Sequence, residues 1–315
     1  MTEENGRPGW ERSTIEKLAF ESLREARRRR RWSIFFRLAA LVYVGALIWM
    51  FWSNTDTERS VSSVEHIALV RLDGTIAVGE RASAENLIAS LREAFEASAA
   101  KGVILAINSP GGSPVQAGQI NDEIRRLRAA HPDKPLYAVV GDICASGGYY
   151  VAAAADRIFV DKASIVGSIG VRMDSFGFTG AMEKAGIERR SITAGENKAF
   201  LDPFMPQNPQ QVAYAREMLD EVHRQFIDVV RKGRGERLKE TPEMFSGLVW
   251  SGARSVELGL ADGTGSVGSV AREVFKIERV RDYSRSENVA ERLAKRFGAS
   301  FGGGVLEAFE RLGWN

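Results

Sequence analysis

The chain has 315 residues, enough for two domains or for one large α/β domain with additions. Hydrophobic residues make up 44% and charged residues 27%, which excludes a largely disordered chain and a polytopic membrane protein. A formal net charge of +2 excludes a strongly basic nucleic-acid binder, and the single cysteine, Cys144, excludes a disulfide framework or a multi-cysteine zinc site. Three histidines are too few and too scattered for a metal centre, and no cofactor is expected.

The charge is concentrated at the N-terminus. Residues 1–37 hold ten basic and six acidic side chains, including the run Arg27 to Arg31. That run leads through Trp32 into an apolar stretch from Ile34 to Trp52, about 28 Å long as a helix, one hydrocarbon core. Arg37, one turn in, can snorkel to the headgroups, and Trp32, Trp49 and Trp52 bracket the stretch as interfacial aromatics do. A buried core helix would rarely carry five arginines at its start. A cleaved signal peptide would need an A-x-A-like site, which does not follow. The expectation is a basic cytoplasmic head (1–33), one transmembrane anchor (34–52), a polar tether (53–63) and a body on the far side of the membrane, with anionic lipid within reach of the arginines.

From residue 64 the pattern is α/β. IALVRL (67–72) reads as a strand ended by Asp73-Gly74, and residues 82–102 read as a helix stopping at Gly102. GVILAIN (102–108) and PLYAVVGD (135–142) read as buried strands, with a helix over 115–130 between them and another opening at Ser146. RIFVD (157–161), SIVGSIGV (164–171) and IERRSITA (187–194) read as further strands, Pro209 to Lys232 as a long helix with Val222 and Phe226 on its apolar face, and SVGSVAREVFKI as a last helix. Strand starts near 67, 102 and 135 recur every 33–35 residues, a repeated strand–helix unit. Apolar strands alternating with helices predict a parallel sheet covered on both faces. Residues 281–315 read as a separate amphipathic, helical tail.

The chemistry is constrained first by what is missing. There is no GxGxxG, phosphate loop, HExxH or paired-cysteine site. His66, His131 and His223 stand at a strand entry, a helix-ending loop and in the long helix, where a structural role suffices. Serine chemistry would therefore need a base other than histidine. Ser146 sits between a strand and a helix opening Gly147-Gly148. Such a serine is either a plain N-cap or a hydroxyl presented at a strand end amid free backbone N–H groups. The turn Asn108 to Gly112 lies one unit earlier, at the same sheet edge, and its amides either complete an oxyanion hole or serve only a loop needing positive φ.

These residues, with LDGTI (72–76), INSPGGS (107–113), DICASGGYYVAAAAD (142–156), SIVGSIGV (164–171) and GENKAFLDPF (195–204), resemble the short-form signal peptide peptidase A family over roughly residues 64–280. The resemblance implies a ClpP/crotonase-like fold of stacked ββα units behind one transmembrane helix. It identifies Ser146 as nucleophile, Lys198 as general base and Ser168 as the hydroxyl orienting the lysine, with Gly111, Gly112 and Gly147 around the oxyanion and no metal. By itself a loop lysine such as Lys198 is a solvated charge; a base must be buried, so that desolvation keeps the amine neutral, and Phe200, Leu201 and Phe204 could wall it. Ser168 alternatively makes only a strand-end hydrogen bond. The family also implies a membrane-bound serine endopeptidase of the bacterial inner membrane with a periplasmic body. Its substrates are remnant signal peptides and other apolar peptides, it forms a homo-oligomeric ring in which Ser146 and Lys198 of one site come either from the same subunit or from neighbouring ones, and it has no nucleic-acid partner. The alternatives are an inactive scaffold of the same fold and an acyl-CoA enzyme using the same glycine amides.

Overall fold

The computed structural model describes residue 28 and residues 30–32, 34–46 and 64–285. The chain divides into a unit of residues 1–64 and a unit of residues 65–315. In the first, residues 34–46 are helical and exposed, including Phe36, Leu41 and Val42. Among the described residues no helix is long and apolar enough to cross a membrane, and the last part of the expected span, 47–52, lies outside them, as do the tether at 53–63 and the tail past 285.

The second unit is built on one sheet. Its strands are β1 (His66–Asp73), β2 (Ala100–Ser109), β3 (Leu136–Ala145), β4 (Arg157–Val160), β5 (Ile165–Gly167), β6 (Val249–Ser251), β7 (Gly263–Thr264) and β8 (Val280–Asp282). The path runs β6-β5-β3-β2-β1-β8, with β4 between β3 and β7. All pairs are parallel except β5 with β6. The long strand β3 forks: Tyr137 to Val139 pair with β4, and Ile143 to Ala145 pair with β5.

Side chains alternate between two cores, as a strand's period of two requires. Ala68, Val70 and Leu72 of β1, with Val103, Leu105 and Ile107 of β2, face one core. There they meet Leu87, Leu91 and Phe95 of α1 (Ala84–Glu96), Ile120, Ile124 and Leu127 of α2 (Pro114–Ala130), and Tyr149 and Val151 of α3 (Gly147–Ala152). Ile67, Leu69, Ile104 and Val139 face the other, under Val270 and Ala271 of a π turn, Val270–Val274. The parallel, doubly covered sheet expected from the sequence is present.

Four expectations change. The helix expected to stop at Gly102 ends at Glu96, because Ala100 pairs with His66 and the sheet captures a segment whose alanines favour helix. Gly102 is a strand glycine whose missing Cβ admits the Phe275 ring. SIVGSIGV keeps only residues 165–167 as strand, since Gly167 and Ser168 both take positive φ and turn the chain. Residues 187–194 form no strand; they are exposed, and only α4 (Thr179–Lys184) interrupts the irregular course from 168 to 208. The body runs past 280, through β8 to Tyr283, whose hydroxyl meets His66 Nε2 at 2.8 Å.

The long helix α5 (Pro209–Arg234) begins with an Asn208 cap and Pro209 in its first turn. Arg231, Lys232 and Arg234 in its last turn complement the helix dipole, and Gly235 at φ 54° ends it. The helix α6 (Gly252–Glu257) follows β6, and a last short turn, α7 (Val267–Ser269), leads into the π segment.

Candidate active site

Strands β2 and β3 end side by side, with Ser109 opposite Cys144, so their two glycine-bearing turns meet at one sheet edge. The first turn is tied to the β1 exit. Ser109 Oγ donates to the Gly74 carbonyl at 2.6 Å and accepts from the Gly111 N–H at 3.1 Å. Ile76 bridges Gly112: its N–H donates to the Gly111 carbonyl, and its carbonyl accepts from the Ser113 N–H, both at 2.8 Å. LDGTI and SPGGS are thus one interlocked backbone. Only glycine fits there, since a Cβ on Gly112 would lie 2.2 Å from the Ile76 oxygen and one on Gly111 2.6 Å from the Gly147 nitrogen.

Ser146 occupies the N-cap position of α3, yet its side chain makes no capping hydrogen bond. Its backbone sits at φ 52° and ψ −123°, a region that costs a non-glycine residue about 1–3 kcal/mol. The conformation is held by the Ser146 N–H donating to the Gly167 carbonyl at 2.8 Å and by its carbonyl accepting from the Tyr150 N–H at 3.0 Å. A serine on a sharp strand-to-helix turn with its hydroxyl left free is the arrangement of an exposed nucleophile. The plain N-cap reading does not hold for this side chain.

Ser168 stands in the same relation to β5. Ala145 and Gly167 are register partners, so Ser146 and Ser168 leave adjacent parallel strands together, both at φ 52°. Ser146, Ser168, Gly111, Gly112 and Gly147 all line one cleft of about 780 Å³. The Gly111 N–H is engaged by Ser109 Oγ. The Gly112 and Gly147 N–H groups donate to no acceptor among the described residues, and Gly147 lies within the first turn of α3, where no intrahelical acceptor exists.

Val222, Gln225 and Phe226 of α5 form the facing wall. Phe226 is anchored on Tyr150, ring centroids 5.1 Å apart. The sequence identified Val222 and Phe226 only as an apolar helix face; periodicity reports that a face is covered, not that a cleft separates it from a distant serine.

Among the described lining residues the only ionisable side chains are Tyr150 and Arg172. Burial pushes the Tyr150 phenol up, away from use as a base. Lys198 does not line the cleft. It is exposed on the segment after α4, where its N–H donates to the Gly195 carbonyl at 3.1 Å. The described residues thus bring together Ser146, Ser168 and two free amides but not Lys198. Cys144, two residues before Ser146, is fully buried, and burial pushes its thiol up. No cluster of three or more His, Cys, Asp or Glu able to hold a metal ion occurs among the described residues.

The chain is similar to several known proteins. Residues 128–281 match Peptidase family S49. A protein of Methanocaldococcus jannaschii named as a protease is 35% identical over 189 residues, covering 60% of this chain and 59% of its own length. One of Enterococcus faecium named as signal peptide peptidase SppA is 28% identical, over 73% of this chain and 70% of its own. A Brucella melitensis protein named Na(+)/H(+) antiporter NhaA is 44% identical over 223 residues. The chain spans about 30% of that relative's length, so the antiporter name describes a protein of which the matched segment is a minor part. Residues 128–281 carry the likeness to Peptidase family S49, and with the protease-named relatives they make the chain similar to SppA-like S49 peptidases.

Proposed function

We propose that the body is a serine peptidase of the ClpP/crotonase fold in which Ser146 attacks a peptide carbonyl and Lys198 of a neighbouring copy is the base. The observation that carries this is Ser146 itself: a strained, uncapped serine opening beside two unclaimed amides into a cleft whose described lining holds no lysine, histidine or carboxylate. Neutral Lys198 takes the proton from Ser146 Oγ as the Oγ–C bond forms. The N–H groups of Gly112 and Gly147 hold the oxyanion, with Gly111 keeping the two turns in contact. The lysine returns its proton to the amine as the C–N bond breaks, and a water activated by the same lysine hydrolyses the acyl-enzyme. Ser168 orients the amine.

Exposure of Lys198 supports a site shared between copies in a ring. Lys198 is exposed among the described residues, whereas a second copy packed on the segment would desolvate its amine. The substrates we infer are apolar peptides, remnant signal peptides among them. The exposed apolar helix over 34–46, following an arginine run, supports a single-pass anchor with the arginines in the cytoplasm and the body outside the bacterial inner membrane.

The test is hydrolysis of an apolar fluorogenic peptide by the full chain in detergent, comparing wild type, Ser146→Ala, Lys198→Met and a refolded mixture of the two variants. Wild-type activity that rises with pH, vanishes in each variant and returns in the mixture supports the shared site. Activity surviving in Ser146→Ala removes the nucleophile from the proposal. Two dead variants with a dead mixture place both residues in one copy.

A further inference from the structure

We infer that His223 is a positioning residue: it holds Ser168 in its working conformation by gripping the backbone one residue later. This rests on the reading of Ser146 and Ser168 as parts of a peptidase site. His223 lies on α5, and its Nε2 is 3.1 Å from the Ile169 carbonyl oxygen. A carbonyl only accepts, so Nε2 carries the hydrogen and His223 donates.

Three observations give that bond a purpose. Ser168 sits at φ 52°, a conformation a non-glycine residue keeps only when its surroundings over-determine it. The surroundings act on both sides: the Ser168 N–H donates to the Leu248 carbonyl at 2.8 Å, the Ile169 side chain is fully buried, and the Ile169 carbonyl is fixed by His223. Finally, His223 neighbours Val222 and precedes Gln225 and Phe226, so the same bond joins the α5 wall to the Ser168–Gly170 wall across the cleft. Without it, the Ser168 turn keeps its N-terminal bond and the buried Ile169 side chain but loses the hydrogen bond on its far side.

The experiment is a double-mutant cycle on the full-length protein, with kcat, KM and thermal unfolding measured for each variant. His223→Ala should lower kcat about tenfold, the scale of one lost hydrogen bond, with KM within about twofold. His223→Gln, which keeps a donor on a side chain of similar reach, should retain most of kcat, while His223→Met should behave like alanine. In a Ser168→Ala background, His223→Ala should cost less than about twofold, because its effect passes through the Ser168 hydroxyl. Additive losses, an unchanged His223→Ala, or a His223→Gln as impaired as alanine would each overturn the inference. If His223→Ala does not fold, the Gln and Met pair carries the same cycle. Ser146→Ala separates the two claims: if it stays active, the peptidase reading falls and this inference with it; if it is dead while the cycle is additive, only this inference falls.

Discussion

The Ser146 turn and the Lys198 segment carry the two halves of one proposed dyad, yet the chain treats them differently. Around Ser146, Gly147, Gly148 and Tyr149 are buried, and the neighbouring turns are linked through the Ser109 hydroxyl and through the backbones of Gly111, Ser113 and Ile76. Between 171 and 208 no residue is buried. Phe176, Ile187 and Ile192 are exposed, and the aromatic contact of Phe178 with Phe204, ring centroids 5.2 Å apart, stays within the segment. One half of the site is preformed by the sheet. The other presents apolar surface that, in the proposed shared site, a second copy covers so as to desolvate the amine.

The largest effect that separates the two regions comes from Ser146→Gly. Glycine accepts φ 52° without strain, so stability should rise by about 1 kcal/mol in urea unfolding while hydrolysis falls at least ~10³-fold. A variant that is less stable than wild type would mean that Ser146 is not strained. Next is a pair of glycine substitutions. Gly112→Ala combines φ 151° with a Cβ 2.2 Å from the Ile76 oxygen, and should cost more than about 3 kcal/mol and most of the activity. Gly195→Ala, near Lys198, has φ 101° but nothing within 4 Å, so only the backbone strain remains, about 1–2 kcal/mol. Equal costs would show that the two regions are packed alike.

The sequence revealed the two regions unequally, for the same physical reason. Elements buried inside one chain leave a periodic trace: β1, β2, the helix from Pro114 and the helix from Pro209 lie within a few residues of where their patterns place them. The motifs around Ser146 were legible because strand, serine and paired glycines are adjacent in sequence. IERRSITA reads as a strand, but among the described residues no strand pairs with it, and a local pattern cannot report a missing partner. Lys198 had no signal apart from family resemblance. His223 was read as structural, since its contact with Ile169 spans 54 residues of sequence. The body's extension through Tyr283 was missed because β8 is only three residues long and pairs with the first strand.

Acid should also distinguish the regions. Glu123 on α2 accepts from Arg126 at 2.8 Å and from Arg92 of α1 at 2.6 Å, and the Arg126 hydrogen bonds, foremost, hold its carboxyl well below the usual 4.5, at about 2. A depressed carboxyl contributes stability that is complete above about pH 4.5 and is lost as pH falls toward 2. Both arginines are more than half exposed, which limits the contribution to about 1–2 kcal/mol. Glu123→Gln should therefore lower the urea midpoint at pH 7 and leave it unchanged near pH 2. A loss of equal size at both pH values would mean that Glu123 acts through packing alone. In the Lys198 segment, Asp202 is likewise lowered, first by the Phe204 N–H and then by Arg189. Asp202→Asn should alter activity in acid without moving the midpoint of the body.

The smallest effect on activity belongs to Cys144→Ala, although Cys144 is closer in sequence to Ser146 than any other nucleophile. The thiol is completely buried between β2 and β5, and burial keeps it protonated, so it can neither attack a substrate nor serve as a base. Its contribution is volume in the strand that delivers Ser146 to the turn. Removing the sulfur should cost about 1–2 kcal/mol in stability and leave kcat/KM within about twofold. A thiol-alkylating reagent should leave the folded wild type active and react only in denaturant. Complete loss of hydrolysis in a stably folded Cys144→Ala would show that Ser146 is held by that sulfur far more tightly than its fixed backbone bonds to Gly167 and Tyr150 imply.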